Sequence, residues 1–393
     1  MTTFRARTHL TLAKVESTPG TDPTPTVADN AFHTLPYAVE PAFETLRPGE
    51  VRRAIDDRVP VLAGGGVRAT VPWNLKGSGA GATAPDCDPL LQACGLVATV
   101  NSSAVTGTAQ AGAAGTITLA ASGPSDSNDA YNGMPITITS GTGAGQRRII
   151  ADYVGSTHVA HVHGNWSTNP DETSVYSIAA CNVYKPASQD LKNITAYRYL
   201  FPRASADNVI LQKLLGAAGD LTIEAGVREL VQARVALMGV WGGETGVSAP
   251  SAETVDATVA PVFMDVDAFL GTAAVTFSRL TVGLGNRVML PDDPAAAYGV
   301  GPAILDGRAV AGTINPYRQL LSVRDALGDF IAGTTRGVSA LWGGTAGNVV
   351  GLYIPDATYQ APAPRESADG DRVRTEIAFT AGAPDASFYL TFA

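Results

Sequence analysis

The sequence predicts a mainly β protein: two tandem β-sandwich or barrel units, each with one flanking α-helix, plus a small β-domain inserted into the first unit. Three observations predict it. With 42 Gly and 25 Pro among 393 residues and only 16% charged residues, the composition favours strands and turns over the charged helix formers of a bundle or an α/β enzyme. Short runs that alternate apolar and polar residues recur between glycine clusters, which is strand patterning. The order of parts across residues 37–100 and 181–245 also returns in residues 246–393.

Residues 1–36 read as an N-terminal arm, because they end in "ESTPGTDPTPTVADN", a Pro, Thr and Asp run with no packed periodicity. "MTTFRARTHLTLAKVES" has no apolar signal-like core, and no stretch approaches the roughly 18 consecutive apolar residues of a membrane span. The expectation is neither secretion by a standard signal nor insertion into a membrane. The first unit, residues 37–100 and 181–245, opens with strand "AVEPAFETL", the charged loop "RPGEVRRAIDDR" and strand "VPVLAGGGVRATVPWNL". A short helix is expected over "DPLLQACG", with an Asp cap at its start and Gly95 at its end.

Residues 101–180 change texture to Thr, Ser, Gly and Asn, with short strands "GTITLA", "MPITIT", "RRIIADYV", "THVAHVHG" and "SVYSI", and form the inserted β-domain. Within it, "TITSGTGAGQRRII" raises a choice between a phosphate cradle and a turn. Ile136 and Ile138 alternate with Thr137 and Thr139 before the glycines, and an apolar strand follows the two arginines, so the pattern predicts a hairpin. No helix start, Lys and hydroxyl follow as a phosphate loop requires.

The second unit, residues 246–393, repeats the first weakly in identity but closely in order: "AILDGRAVAGTINPY" parallels "VLAGGGVRATVPWNL", and "RDALGDFIAG" parallels "DPLLQACG". Its helix is expected within "PYRQLLSVRDALGDFIAGTT", where Leu320, Val323, Leu327, Phe330 and Ile331 share one face and should lie against the sheet.

Signatures of chemistry are scarce. His158, His161 and His163 fall on a predicted strand, where the first faces away from the other two, and no Cys is nearby. "MDVDAF" and "SDSND" lack the Gly and closing Glu of a calcium loop. Cys87, Cys94 and Cys181 have neither zinc-site nor redox-pair spacing and read as buried thiols. No nucleophile elbow, Walker loop or dinucleotide fingerprint occurs. The expectation is a non-enzyme with no catalytic, cofactor or metal residue. A net charge of −9 argues against a general nucleic-acid binder.

Taken together, "LAKVESTPGTDPTPTVADNAF", "AGGGVRATVPWNLKGSGAGATAPDCDPLLQACGL", "SRLTVGLGNRVMLPDD", "DGRAVAGTINP" and "YIPDATYQAPAPRESADGDRVRTEIAFTAG" resemble the major tail tube proteins of long, non-contractile-tailed bacteriophages and prophages. Residues 116–178 resemble a small β-module inserted in phage virion proteins. The resemblance implies tail-tube-type units that polymerise into stacked rings around a channel for the genome, inside a virion assembled in the bacterial cytoplasm. Two units per chain would make a trimeric ring with pseudo-sixfold symmetry, rather than a hexamer. Tape-measure, terminator and distal tail proteins would be partners, with DNA passing through unbound. Loops near residues 45–60 and 286–300 would reach the next ring, making Arg47, Glu50, Arg52, Arg53, Asp56, Asp57, Arg58, Arg287, Asp292 and Asp293 candidate contacts. Alternatives are another virion part, or an adhesin, which exposed aromatics among Tyr131, Tyr153, Trp166 and Tyr176 would favour.

Overall fold

The computed structural model describes residues 4–53, 55–203, 208–366 and 372–393. Its sheets are antiparallel, and two short α-helices accompany them among the described residues. In the first half, Val39–Leu46 pairs with Val61–Asn74, which pairs with Gln232–Val247, then Val209–Gly226, Ile194–Pro202 and Phe4–Val15. In the second, Phe277–Gly283 pairs with Ala311–Pro316, then Val373–Ala381, Val350–Tyr359, Thr335–Trp342 and Asp267–Leu270. Numbered in chain order within each half, both runs read 2-3-6-5-4-1. A helix stands between the third and fourth strands in each.

The sequence dictates which face of each strand turns inward. In Gln232–Val247, Ala233, Val235 and Leu237 are buried while Gln232, Arg234 and Ala236 are exposed, the period of two that an extended chain imposes. The two runs join where residues 222–226 pair with 279–283, and Val350–Tyr359 also pairs with Tyr389–Phe392, which pairs with Cys181–Pro186 of the first half. One hydrophobic core therefore runs through both halves, from Trp73 and Leu91 to Trp342 and Phe379.

Helix α1, Asp88–Ala93, buries Leu90, Leu91 and Ala93. The expected Asp cap is corrected: Cys87 holds the cap position without a side-chain bond, and Asp88 instead accepts from Gln92 Nε2 (2.7 Å) and the Tyr184 hydroxyl (2.8 Å). Gly95 ends the helix at φ +70°, where a Cβ is disfavoured. Helix α2 covers only Ala326–Ala332, shorter than the expected segment. The Asp325 side chain accepts from the Gly328 N–H and starts a new helix there, leaving residues 320–324 in a turn. The buried apolar face expected for this helix is also corrected. Leu320, Val323, Leu327, Phe330 and Ile331 are exposed, and Ala326 alone is buried in the helix.

Part of the expected N-terminal arm is a strand. His9–Val15 pairs residue for residue with Ile194–Leu200, and Leu10, Leu12 and Ala13 are buried. The Pro, Thr and Asp run that follows is tied down by buried Glu16, which accepts from Thr195 Oγ1 (2.6 Å) and the N–H groups of Gly20 (2.6 Å) and Gly216 (2.7 Å). The bonds to Thr195 and Gly216 hold within a single chain a segment that the sequence reads as an unpacked arm.

Between Leu96–Asn101 and Cys181–Pro186, which pair with each other, the chain builds a separate seven-stranded sheet from residues 105–178. Pro135–Ser140 and Arg147–Val154 form the hairpin expected around "SGTGAG", with Gly141, Gly143 and Gly145 all at positive φ. The two arginines after the turn fasten this sheet to the main body. Arg147 donates to Asp267 Oδ2 (2.9 Å) and the Gly343 carbonyl (2.6 Å), and the Arg148 guanidinium lies 4.3 Å from the Phe269 ring centroid and 5.3 Å from that of Trp166.

Candidate assembly surface

The charged loop, residues 47–60, joins two strands whose last pair is Leu46↔Val61, so it leaves the sheet as the end of a hairpin. Its ions pair among themselves: Arg47 with Asp57 (3.2 Å), Arg58 with Glu50 (2.7 Å), and Arg52 with the Asp56 carbonyl. Arg53 is exposed beside them. Exposed pairs of this kind contribute about 0–1 kcal/mol each, so they shape the loop more than they stabilise the fold.

In the second loop, Arg287 pairs with Asp306 across the Arg287–Met289 and Ile304–Gly307 ribbon. Asp292 bridges Val300, and Asp293 Oδ1 accepts from the Ala295 N–H at 2.9 Å. The structure brings the two loops' bases together. The Tyr298 ring lies 5.1 Å from Phe43, the Tyr298 carbonyl accepts from Gly65 N–H at 3.0 Å, and Leu290 occupies the space beside Gly66 that a Cβ would need.

Apolar residues around these charges escaped the sequence reasoning. Leu46, Val51, Ile55, Val59, Val61 and Leu62 are all exposed, with Val51 and Ile55 fully so. The signal was present as apolar residues interleaved with the arginines of "EVRRAIDDRVPVL", but the contact was read from the charges alone. A second exposed apolar group lies at α2, where the exposed Leu321 and Leu327, with the half-buried Tyr317, line a groove of about 120 Å³ over the buried Ile377. Both groups are candidate surfaces for contact with another molecule.

Residues 286–308 pack against the first half at the C-terminal end of α1. Asn286 Nδ2 donates to the carbonyls of Cys94 (2.8 Å) and Gly219 (3.0 Å), and Arg308 donates to that of Gly95 (2.9 Å). Ala303 N–H meets the Gly216 carbonyl at 2.8 Å, and Asn193 Nδ2 donates to Ala303 O at 2.8 Å. Leu305 and Arg308 also fill the space beside Gly95. Burial lowers the Arg308 guanidinium pKa and raises that of the neighbouring Asp220 carboxyl, which the backbone N–H groups of Asn286 and Gly285 partly offset.

The three histidines are separated. His158 sits in a turn at φ +51°, a correction to its expected strand position, and bonds Asp126 (2.9 Å) and the Ala120 carbonyl (3.0 Å). His161 is exposed. His163 is buried against Ser339 Oγ (2.7 Å) and the Tyr353 ring, and burial pushes its pKa down to about 4. All three cysteines are buried free thiols whose pKa burial raises. Among the described residues, no three His, Cys, Asp or Glu side chains are grouped to hold a metal ion. Tyr131, Tyr153, Trp166 and Tyr176 are all core residues of the inserted sheet, so they form no exposed aromatic platform.

Comparison with protein-family models and with curated proteins finds no match for the chain.

Proposed function

We propose that the chain is a structural virion protein that polymerises head to tail into stacked rings, forming the tail tube through which a long-tailed phage delivers its genome. Each half is then one tail-tube-type unit, and three copies close a ring of six quasi-equivalent units. The observation that carries this proposal is the repeated 2-3-6-5-4-1 strand order with unequal edges. Phe277–Gly283 is paired on both sides, because the first half supplies Val209–Gly226 as its second neighbour. Its counterpart Val39–Leu46 pairs, among the described residues, with Val61–Asn74 alone. An open edge at one end of a chain that has already closed the equivalent edge internally invites a second copy.

The seam between the two halves also favours a heterologous contact that can repeat, rather than a two-fold dimer. The charged tip residues Arg47 to Arg58, with Arg287, Asp292 and Asp293, are the proposed contacts to the adjoining ring, where opposite charges set register. A net charge of −9 suits a lumen that lets DNA slide without adhering. Tape-measure, terminator and distal tail proteins are the proposed partners at the tube's ends and interior.

Electron microscopy of the purified protein across rising concentration tests the proposal. Tubes or stacked rings with three subunits per ring are expected; monomers at every concentration, or closed two-fold dimers, overturn it.

A further inference from the structure

The two helices occupy the same place in their strand runs, between the third and fourth strands, and both end at a left-handed glycine, Gly95 at φ +70° and Gly333 at φ +64°. Their surroundings differ. A Cβ on Gly95 would meet Arg308 at 2.5 Å and Leu305 at 2.8 Å, whereas one on Gly333 would meet nothing within 4 Å. The residues over α1 belong to the connection between the second and third strands of the other run, residues 284–310. The corresponding connection of the first run is the 47–60 loop, which projects with Leu46, Val59, Val61 and Leu62 exposed at its root. Among the described residues, one chain thus holds one helix whose C-terminal end is covered by the other run's loop, one loop of the same kind with its root exposed, and one helix of the same kind left open.

We propose that α2 and the turn before it seat the root of the 47–60 loop from a second copy of this chain, as α1 seats residues 286–308 of its own. The occupant is fixed by the intramolecular seam. The second run lays its loop on the first run's helix and pairs its second strand with the first run's fifth. Repeating that step once more sets Val39–Leu46 of the next copy beside Ala363–Glu366, which continues the second run past its fifth strand and pairs, among the described residues, with Val373–Ala381 alone. Leu46, Val59, Val61 and Leu62 then meet Leu327, Phe330 and Ile331, and both apolar groups leave water together. This inference rests on the proposed self-assembly and specifies its lateral contact, while the charged loop tip stays free for the adjoining ring.

Cysteine cross-linking tests it cleanly, because Cys87, Cys94 and Cys181 are buried and shielded from a maleimide. Full-length Val59→Cys and Ile331→Cys variants are mixed at assembling concentration and treated with a flexible bis-maleimide. A covalent dimer is expected from the mixture, and dimers and trimers ending at the closed ring from the double variant. Pairing Ile331→Cys with Ala111→Cys, an exposed position on the inserted sheet's edge strand, should give only background. Rings or tubes in micrographs of the same sample without a Val59–Ile331 product overturn the inference and leave self-assembly standing. Monomers throughout overturn both.

An Ile331→Asp variant gives a second readout. It should raise the concentration needed for assembly at least about tenfold, with the monomer's thermal unfolding unchanged because the side chain is 75% exposed. Assembly at the original concentration would contradict the seat.

Discussion

Helices α1 and α2 follow the same local code and meet different fates. Each is a short apolar segment placed between the third and fourth strands of a run and ended by a left-handed glycine. Around α1, Leu90, Leu91 and Ala93 are buried and residues 286–308 close over Gly95. Around α2, Leu327, Phe330 and Ile331 face outward and Gly333 is open. A helix of six or seven residues is too short to be stable on its own propensity. The difference teaches that amphipathic patterning specifies an apolar face but not what covers it.

The largest expected contrast is in the helices' own side chains. Leu91→Ala should cost the monomer about 2–5 kcal/mol in denaturant unfolding, since the side chain is fully buried and leaves a cavity. Ile331→Ala should change monomer stability by under about 0.5 kcal/mol. Equal effects would break the comparison.

Acid should weaken the α2 side selectively. His163 packs on Ser339, in the strand that directly follows α2, and its pKa falls from 6.5 to about 4 on burial. The unfolded chain therefore takes up a proton near pH 6.5 that the folded chain refuses until about pH 4. The stabilisation is complete above pH 6.5 and is lost as the pH falls toward 4, by about 3 kcal/mol in all. His163→Gln should flatten that part of the stability profile, measured by urea unfolding across pH; an unaltered slope would contradict the assignment.

The loops should differ next. Arg308→Ala removes charged hydrogen bonds to the carbonyls after α1 and should cost about 1.5–3 kcal/mol, whereas Arg58→Ala breaks only an exposed pair and should cost under about 1 kcal/mol. The smallest sharpening is at the glycines. Gly333→Ala should cost about 1–2 kcal/mol for its backbone alone, and Gly95→Ala more, because Leu305 and Arg308 must also move.

Much of the sheet was legible because its signals are local. The alternation in "MPITIT" and "RRIIADYV", with glycines between, marks a hairpin without reference to the rest of the chain. The cover over α1 was not legible, since Asn286 and Arg308 bind backbone carbonyls nearly two hundred residues or more away, and such bonds leave no side-chain pattern at the accepting end. The same holds for Glu16, whose bonds to Thr195 and Gly216 turn an apparent arm into packed structure. At α2 the periodicity ran through Leu320 and Val323, but Asp325 starts the helix only after them, and its apolar residues found no cover among the described residues. The candidate surface was half legible: the charges of the 47–60 loop stood out, and the apolar residues beside them did not.

Amide hydrogen exchange on the monomer and on the assembled protein, compared at the two helices, tests the central contrast most directly. Residues 88–95 should be protected equally in both states, while residues 320–333 and 46–62 should gain protection together on assembly. Assembly without added protection in either of the latter segments would contradict the pairing of this helix with that loop.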